Sequence, residues 1–139
     1  LRQSRYLSKK ALDNNHNSIK IIELNAHISI CLGNTIEAIK HYKEITDIQE
    51  NQSWRIWKNL LKCILEIEEW SELLRLSLKA KKYFPNKSFL DFIISGCLLK
   101  DGKLNEAIYF YQSGSKHSKI PTKLRKYFPE FTANKALLV

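Results

Sequence analysis

The chain has 139 residues, of which 23 are Lys or Arg and 14 are Asp or Glu, so its formal net charge is +9. A hydrophobic content of 44% excludes a chain that stays disordered through low hydrophobicity and high charge, and no apolar stretch approaches the roughly 18–20 residues that span a membrane. The first residues lack the apolar core of a signal peptide, and the chain starts at Leu1 and contains no Met. We therefore interpret it as a segment of a longer protein.

Helical periodicity extends along the chain. Only four Gly and three Pro interrupt it, and apolar residues recur at spacings of three and four. The first predicted helix has the apolar pattern of a second helix in a hairpin whose first helix is missing. The periodicity predicts helices near residues 2–13, 19–32, 35–49, 53–67, 70–83, 88–100, 104–117, 121–128 and 130–138.

Two stretches of the chain repeat one pattern. Residues 33–42 and 102–111 share Gly, Glu, Ala, Ile and Tyr at equal positions, with a constant offset of 69 residues. This offset corresponds to two units of about 34 residues, so a middle unit is expected between them, from Trp54 to Pro85. Self-similarity at this period is typical of stacked helical hairpins.

Particular residue types stand at defined positions of the units. Gly33 and Gly102 lie at turns, Ala38 and Ala107 are small residues of a second helix, and Tyr42 and Tyr111 are its aromatic residues. The middle unit has Trp57 and Leu60 in its first helix and Ala80 with Pro85 at its end. This set resembles the tetratricopeptide repeat. The resemblance implies an all-α fold: an α-α superhelix, or right-handed solenoid, of about three and a half helix-turn-helix units with a C-terminal helical segment. The sequence departs from the repeat pattern at Asn25, Glu68, Leu73 and Ser77.

The repeat divides a single domain, residues 1–139, into consecutive segments. The first is expected to be the second helix of a truncated unit, three full units follow, and the last segment is expected to cap the array or to link it to another domain. Pro121 and Pro129 bound a helix in that last segment. The segments are residues 1–18, 19–52, 53–87, 88–120 and 121–139.

The sequence contains no motif for catalysis, cofactor binding or metal binding. Its glycines are too few and too far apart for a phosphate-binding loop, and its four His are scattered. Cys31, Cys63 and Cys97 are widely spaced, which indicates free thiols in a reducing, cytoplasmic environment rather than a disulfide framework or a zinc site. We expect a non-catalytic segment without a cofactor.

The resemblance also implies that the first helices line a concave groove. This groove is expected to be basic at its centre and apolar at its far end, which suits an acidic or extended peptide with a hydrophobic residue. The alternative is a solvated charged face, with Phe89, Phe92 and Ile93 covered by the helix after Pro121. The candidate partner-binding residues are Lys20, His27, Arg55, Lys58, Asn59, Lys62, Phe89 and Phe92.

Two classes of partner are disfavoured by particular residues. Chaperone-binding tetratricopeptide modules have a carboxylate clamp made of Lys, Asn and Arg side chains. Only one clamp residue is matched here, by Asn59, and Glu23 and His27 occupy the positions of the clamp's first Lys and Asn. A chaperone C-terminal tail is therefore not expected. Basic residues are spread over both ends of the chain and over a helix that contains Lys79 and Lys81, which are expected to face outward. Few aromatic residues lie among them to stack on bases. Both features argue against nucleic acid as the partner. A homo-oligomer remains open.

The leading hypothesis for function is a protein–protein interaction or scaffold module that binds a protein or peptide. The alternative is an accessory region of a larger bacterial enzyme, such as a glycosyltransferase or another polysaccharide-building enzyme, to which tetratricopeptide arrays are attached in other proteins. The sequence of the segment does not discriminate between the two.

Overall fold

Helices account for the regular structure of the described part of the chain. The computed structural model describes the backbone of residues 2–134 and 137 and the side chains of residues 17–134 and 137, and no strand occurs among them. The prediction of an all-α chain is confirmed. The helices are α1 (Arg2–Cys31), α2 (Thr35–Ile48), α3 (Trp54–Glu66), α4 (Trp70–Tyr83), α5 (Ser88–Lys100), α6 (Leu104–Ser115), α7 (Thr122–Tyr127) and α8 (Glu130–Ala133).

The first helix is longer than the periodicity predicts. Separate helices are expected near residues 2–13 and 19–32, whereas α1 is continuous over both. The expected break at residues 14–18 consists of Asn, His and Ser, which disfavour a helix by only about 0.7 kcal/mol or less each, and it contains no Gly or Pro. The last helix is shorter than predicted, since α8 ends at Ala133. Residues 135, 136, 138 and 139 lie outside the described residues.

The helices form two compact units, residues 1–63 and residues 64–139. In the first unit α1 packs against α2, and the turn between them contains Gly33 at a φ of 76°. In this turn the Asn34 amide donates to the Ser29 carbonyl at 2.8 Å. The Asn34 side chain accepts from the Glu37 amide and so caps α2. The turn predicted from Gly33 is confirmed, because a positive φ ends a helix at little cost only in glycine.

The core of the first unit is built from the small and aromatic residues that the repeat predicts. Ala38 is fully buried on α2, where α1 packs against it, and Tyr42 is fully buried one turn later. Trp57 is buried on α3, and its indole N–H donates to the Glu50 carbonyl at 3.0 Å. This hydrogen bond attaches the loop between α2 and α3 to the core and satisfies the only polar atom of the indole.

In the second unit α5 is the central helix. It packs against α4 and α6, and all residues from Leu90 to Leu98 are buried. The turn between α5 and α6 repeats the first one, with Gly102 at a φ of 76° and the Lys103 amide donating to the Leu98 carbonyl at 2.9 Å. Ala107 is fully buried in a cluster with residues of α5, and its carbonyl accepts from the Ser95 hydroxyl at 2.7 Å. The small residue therefore lies where two helices approach closely.

The middle turn keeps the same backbone conformation without glycine. Glu68, which occupies the position of Gly33 and Gly102, has a φ of 57°, and it is the only non-glycine residue with positive φ among the described residues. Its amide donates to the Leu65 carbonyl at 3.1 Å. The departure at this position changes the residue but not the turn. It costs about 1–2 kcal/mol, because a Cβ in the left-handed region approaches the following carbonyl.

One lysine expected to point outward is instead partly buried in the second unit. Lys81 on α4 donates to the Asp91 carboxylate on α5 at 2.6 Å, and Asp91 is almost fully buried. The Ser113 hydroxyl donates to the other Asp91 oxygen at 3.4 Å. A buried carboxylate needs such partners, because desolvation of an unpaired charge is expensive. The ion pair joins α4 to α5.

Candidate interaction surface

The exposed face of α1 is the first part of the candidate site. Lys20, Glu23, Leu24 and His27, at spacings of three and four, line an open depression of about 350 Å³. Lys20, Leu24 and His27 are exposed, and Glu23 is partly buried. The depression therefore presents one cation, one anion, an imidazole and an apolar side chain on a single helix face.

Arg55 at the start of α3 reaches this face through Glu23. The Arg55 Nε donates to Glu23 Oε1 at 2.8 Å, and a terminal nitrogen donates to Glu23 Oε2 at 3.2 Å, so the pair is bidentate. The hydrogen bond that Arg55 donates to Glu23, and the negative charge of this carboxylate, raise the pKa of Arg55. Because Arg55 is largely exposed, the pair contributes about 0–1 kcal/mol to stability. It orients the guanidinium beside the α1 depression.

The remaining basic candidates lie on the same helix. Lys58, Asn59 and Lys62 follow Arg55 at intervals of three, four and seven residues, which places them on one face of α3, and all three are partly buried. Below them, Tyr42 is fully buried, and desolvation raises the pKa of its hydroxyl. We call the six residues of the first unit the basic face: Lys20, His27, Arg55, Lys58, Asn59 and Lys62.

The two apolar candidates lie in the second unit and are not equally accessible. Phe89 at the start of α5 is partly buried, whereas Phe92 is fully buried and packs edge-on against Tyr111, with ring centroids 5.5 Å apart. Gly114 also lies against the Phe92 ring. Phe92 therefore belongs to the core, and the accessible candidate surface does not include it.

The C-terminal segment covers the other end of α5. The Phe128 ring lies so close to Gly96 that a Cβ there would be 2.5 Å from it, and this ring is 5.2 Å from the Trp70 ring. The Lys100 ammonium lies 4.5 Å from the Trp70 centroid and donates to Glu130 at 2.8 Å. The alternative that the helix after Pro121 covers Phe89, Phe92 and Ile93 stays a prediction, because the contacts of Phe128 described here are with Gly96 and Trp70. The chain itself thus fills this part of the second unit.

Sequence reasoning missed two features of the site. The ion pair of Glu23 with Arg55 was not predicted, because no pattern in a single sequence pairs residues on different helices. The close contact of the Phe128 ring with Gly96 is the second feature that was not predicted. A glycine within an otherwise apolar helix was the available signal, since such glycines mark close packing.

Metal and thiol chemistry find no support in the described residues. No group of three or more His, Cys, Asp or Glu among them could hold a metal ion. Cys63 and Cys97 are buried and Cys31 is exposed, and all three thiols are free. Burial raises the pKa of Cys97 to about 12, which makes this thiol unreactive at neutral pH. Within the described part of the chain, no helix has the length and hydrophobicity to cross a membrane.

Solved structures with the same fold are known. The chain is similar to MamA with a TM-score of 0.67 and 15% identity, over 93% of this chain and 75% of MamA. It is similar to the Type III secretion translocator chaperone SycD of Yersinia enterocolitica, with a TM-score of 0.61 and 16% identity, over 88% of this chain and 90% of SycD. PcrH from Pseudomonas aeruginosa aligns with a TM-score of 0.63 and 14% identity, over the same shares of 88% and 90%.

By contrast, no family profile matches the sequence. No curated protein matches it either. The structural similarities establish the fold class: the chain is all-α and consists of tetratricopeptide-like repeats of the α-solenoid type.

Proposed function

We propose that the segment is a non-catalytic protein-interaction module that binds an acidic, extended peptide on its basic face. The observation that carries the proposal is the α1 depression bounded by Lys20 and His27, beside which Glu23 holds the Arg55 guanidinium. The similar structure SycD is a translocator chaperone, which is consistent with a role in binding another protein. We place the segment in the cytoplasm, because its three cysteines are free.

The charges of the basic face favour an acidic partner. Four cations, Lys20, Arg55, Lys58 and Lys62, lie on this surface, and Glu23 is paired with Arg55. Such a field attracts an acidic segment over about one Debye length, roughly 8–10 Å at physiological salt. The exposed side chain of Leu24 lies in the same depression and offers an apolar contact next to the charges. A peptide that alternates carboxylates with aliphatic residues would match both features.

The experiment compares two triple variants. Arg55→Ser with Lys58→Ser and Lys62→Ser removes the α3 cations, and the matched control replaces Lys116, Lys119 and Lys123, which are exposed in the second unit. The probe is a short fluorescent peptide of alternating Glu and Leu, with a Lys and Leu peptide as its charge-reversed counterpart. Fluorescence anisotropy is measured at several salt concentrations, and far-UV circular dichroism checks the helix content.

We expect the first variant to bind the acidic peptide roughly tenfold or more weakly, with a flatter salt dependence, because each cation lost removes an attractive interaction with the carboxylates. The control should bind as the parent protein does. Equal losses in both variants would indicate diffuse electrostatics instead of a site. Undiminished binding by the first variant would remove the basic face as the binding surface.

A further inference from the structure

A second group of cations lies after α6, in residues 116–126. Five of these eleven residues are Lys or Arg, and no acidic residue occurs between Glu106 and Glu130. All five cations are exposed, and we call residues 116–126 the basic segment. Its cations are Lys116, Lys119, Lys123, Arg125 and Lys126.

The chain does not neutralise the cations of the basic segment. Within the described part of the chain none of the five forms an ion pair, whereas other cations of the second unit pair with carboxylates. These paired cations are Arg75, Lys81, Lys100 and Lys103. Successive cations of the basic segment are at most four residues apart, so the Cα atom of each lies within about 14 Å of the next. Because this distance is close to one Debye length, their fields overlap at physiological salt.

Buried side chains attach the basic segment to the second unit. Ile120 and Leu124 are buried, and Phe128 at the end of α7 packs against Trp70. Since Leu124 takes the inward side of α7, the three exposed cations of this helix lie around its remaining sides. The cations therefore extend from a backbone that is already ordered, and a partner does not have to fold the segment when it binds.

The chemistry of this surface favours a partner that is recognised by charge. After Tyr109 no large hydrophobic side chain is exposed among the described residues, so the segment offers no apolar contact like that of Leu24. A short peptide of carboxylates and aliphatic residues would therefore gain little here. Nor does the segment expose an aromatic ring on which a base could stack. Four of its five cations are Lys, which acts as a point charge without the bidentate geometry of Arg.

We infer that the basic segment binds the surface of an anionic phospholipid bilayer. A bilayer presents a continuous plane of negative headgroups, so several cations of one loop and one short helix contact it together. Each Lys or Arg near such a surface raises membrane affinity roughly fivefold, and five together raise it on the order of a thousandfold. No apolar side chain has to enter the hydrocarbon for this attachment. The basic face in the first unit is a separate surface with a different partner.

The test measures binding to vesicles of phosphatidylcholine, with and without about one third phosphatidylglycerol. Vesicle sedimentation gives the bound fraction of protein over a range of lipid and salt concentrations, and a fluorescent DNA duplex is the second probe. The segment variant combines Lys119→Gln, Lys123→Gln and Lys126→Gln. The matched control removes the same charge from exposed residues that lie apart in the sequence: Lys40→Gln, Lys82→Gln and Lys103→Gln.

We expect the parent chain to bind the anionic vesicles and not the neutral ones, and more weakly as salt rises. The segment variant should bind at least tenfold more weakly, because it lacks three of the five cations, and the control should bind nearly as the parent does. A parent chain that does not bind anionic vesicles would overturn the inference. Equal loss in both variants, or loss of binding only to the DNA duplex, would also overturn it.

Two further measurements separate this result from others. Far-UV circular dichroism of each variant distinguishes lost binding from lost folding. The Glu and Leu peptide reports the basic face independently, so the segment variant should bind this peptide as the parent chain does. Failure of vesicle binding and failure of peptide binding are therefore distinguishable.

Discussion

The packing of Phe128 against Gly96 predicts that a Gly→Ala substitution destabilises the protein at this position, although the same substitution usually stabilises a helix. Replacement of Gly by Ala in the interior of a helix normally stabilises it by about 1 kcal/mol. At Gly96 the new methyl group would lie 2.5–2.6 Å from three carbons of the Phe128 ring. Real contacts of this kind do not occur, so the ring or the helix must move. Phe128 is fully buried and packs against Trp70, which leaves the ring no free space.

The magnitude follows from two opposing effects. Overpacking costs about 1–3 kcal/mol, and the gain in helix propensity offsets about 1 kcal/mol of this. Gly96→Ala should therefore lower the free energy of unfolding by up to about 2 kcal/mol, instead of raising it by about 1 kcal/mol. In a Phe128→Leu background the ring is absent, and the same substitution should be neutral or stabilising. The difference between the two backgrounds measures the contact itself.

Urea denaturation followed by circular dichroism provides the assay. Gly114→Ala is the matched control, since its Cβ would lie 3.2 Å from its nearest neighbours and should disturb them less. The same effect of Gly96→Ala in both backgrounds would refute the proposed contact. A stabilised Gly96→Ala protein in the parent background would show that Phe128 does not cover α5.

Three other predictions concern the fold. Glu68→Gly should stabilise the chain by about 1 kcal/mol, because glycine adopts positive φ without strain, and thermal unfolding measures it. Ala107→Leu should destabilise it by about 1–3 kcal/mol by overpacking, whereas Ala133→Leu at an exposed position should have little effect in the same assay. Burial raises the pKa of Tyr42 above 10.0, so the unfolded state loses this proton first and stability falls as the pH rises above 10. Tyr42→Phe should lessen that fall in urea titrations at alkaline pH, and an unchanged pH dependence would contradict it.

The repeat pattern explains why so much of the fold was accessible from one sequence. Gly33 and Gly102 at equal positions predicted both turns, and Ala38 and Ala107 predicted the close helix contacts, because each residue type answers a local geometric requirement. In contrast, the sequence did not predict which residues of the candidate site are exposed to solvent. Phe92 had the spacing of a groove residue, but spacing does not distinguish a side chain that faces solvent from one that another helix covers.

By itself, the sequence determined the helical class, the period of the repeat and the turn positions. These depend on backbone propensities and apolar spacing, which act within one or two turns of a helix. Only the tertiary structure decided that α1 continues through residues 14–18, that Lys81 pairs with the buried Asp91, and that Phe128 lies on Gly96. Each of these depends on contacts between residues distant in sequence or on the sum of small local preferences. A pattern of residue types does not contain such contacts, because burial and ion pairing arise only when the helices pack.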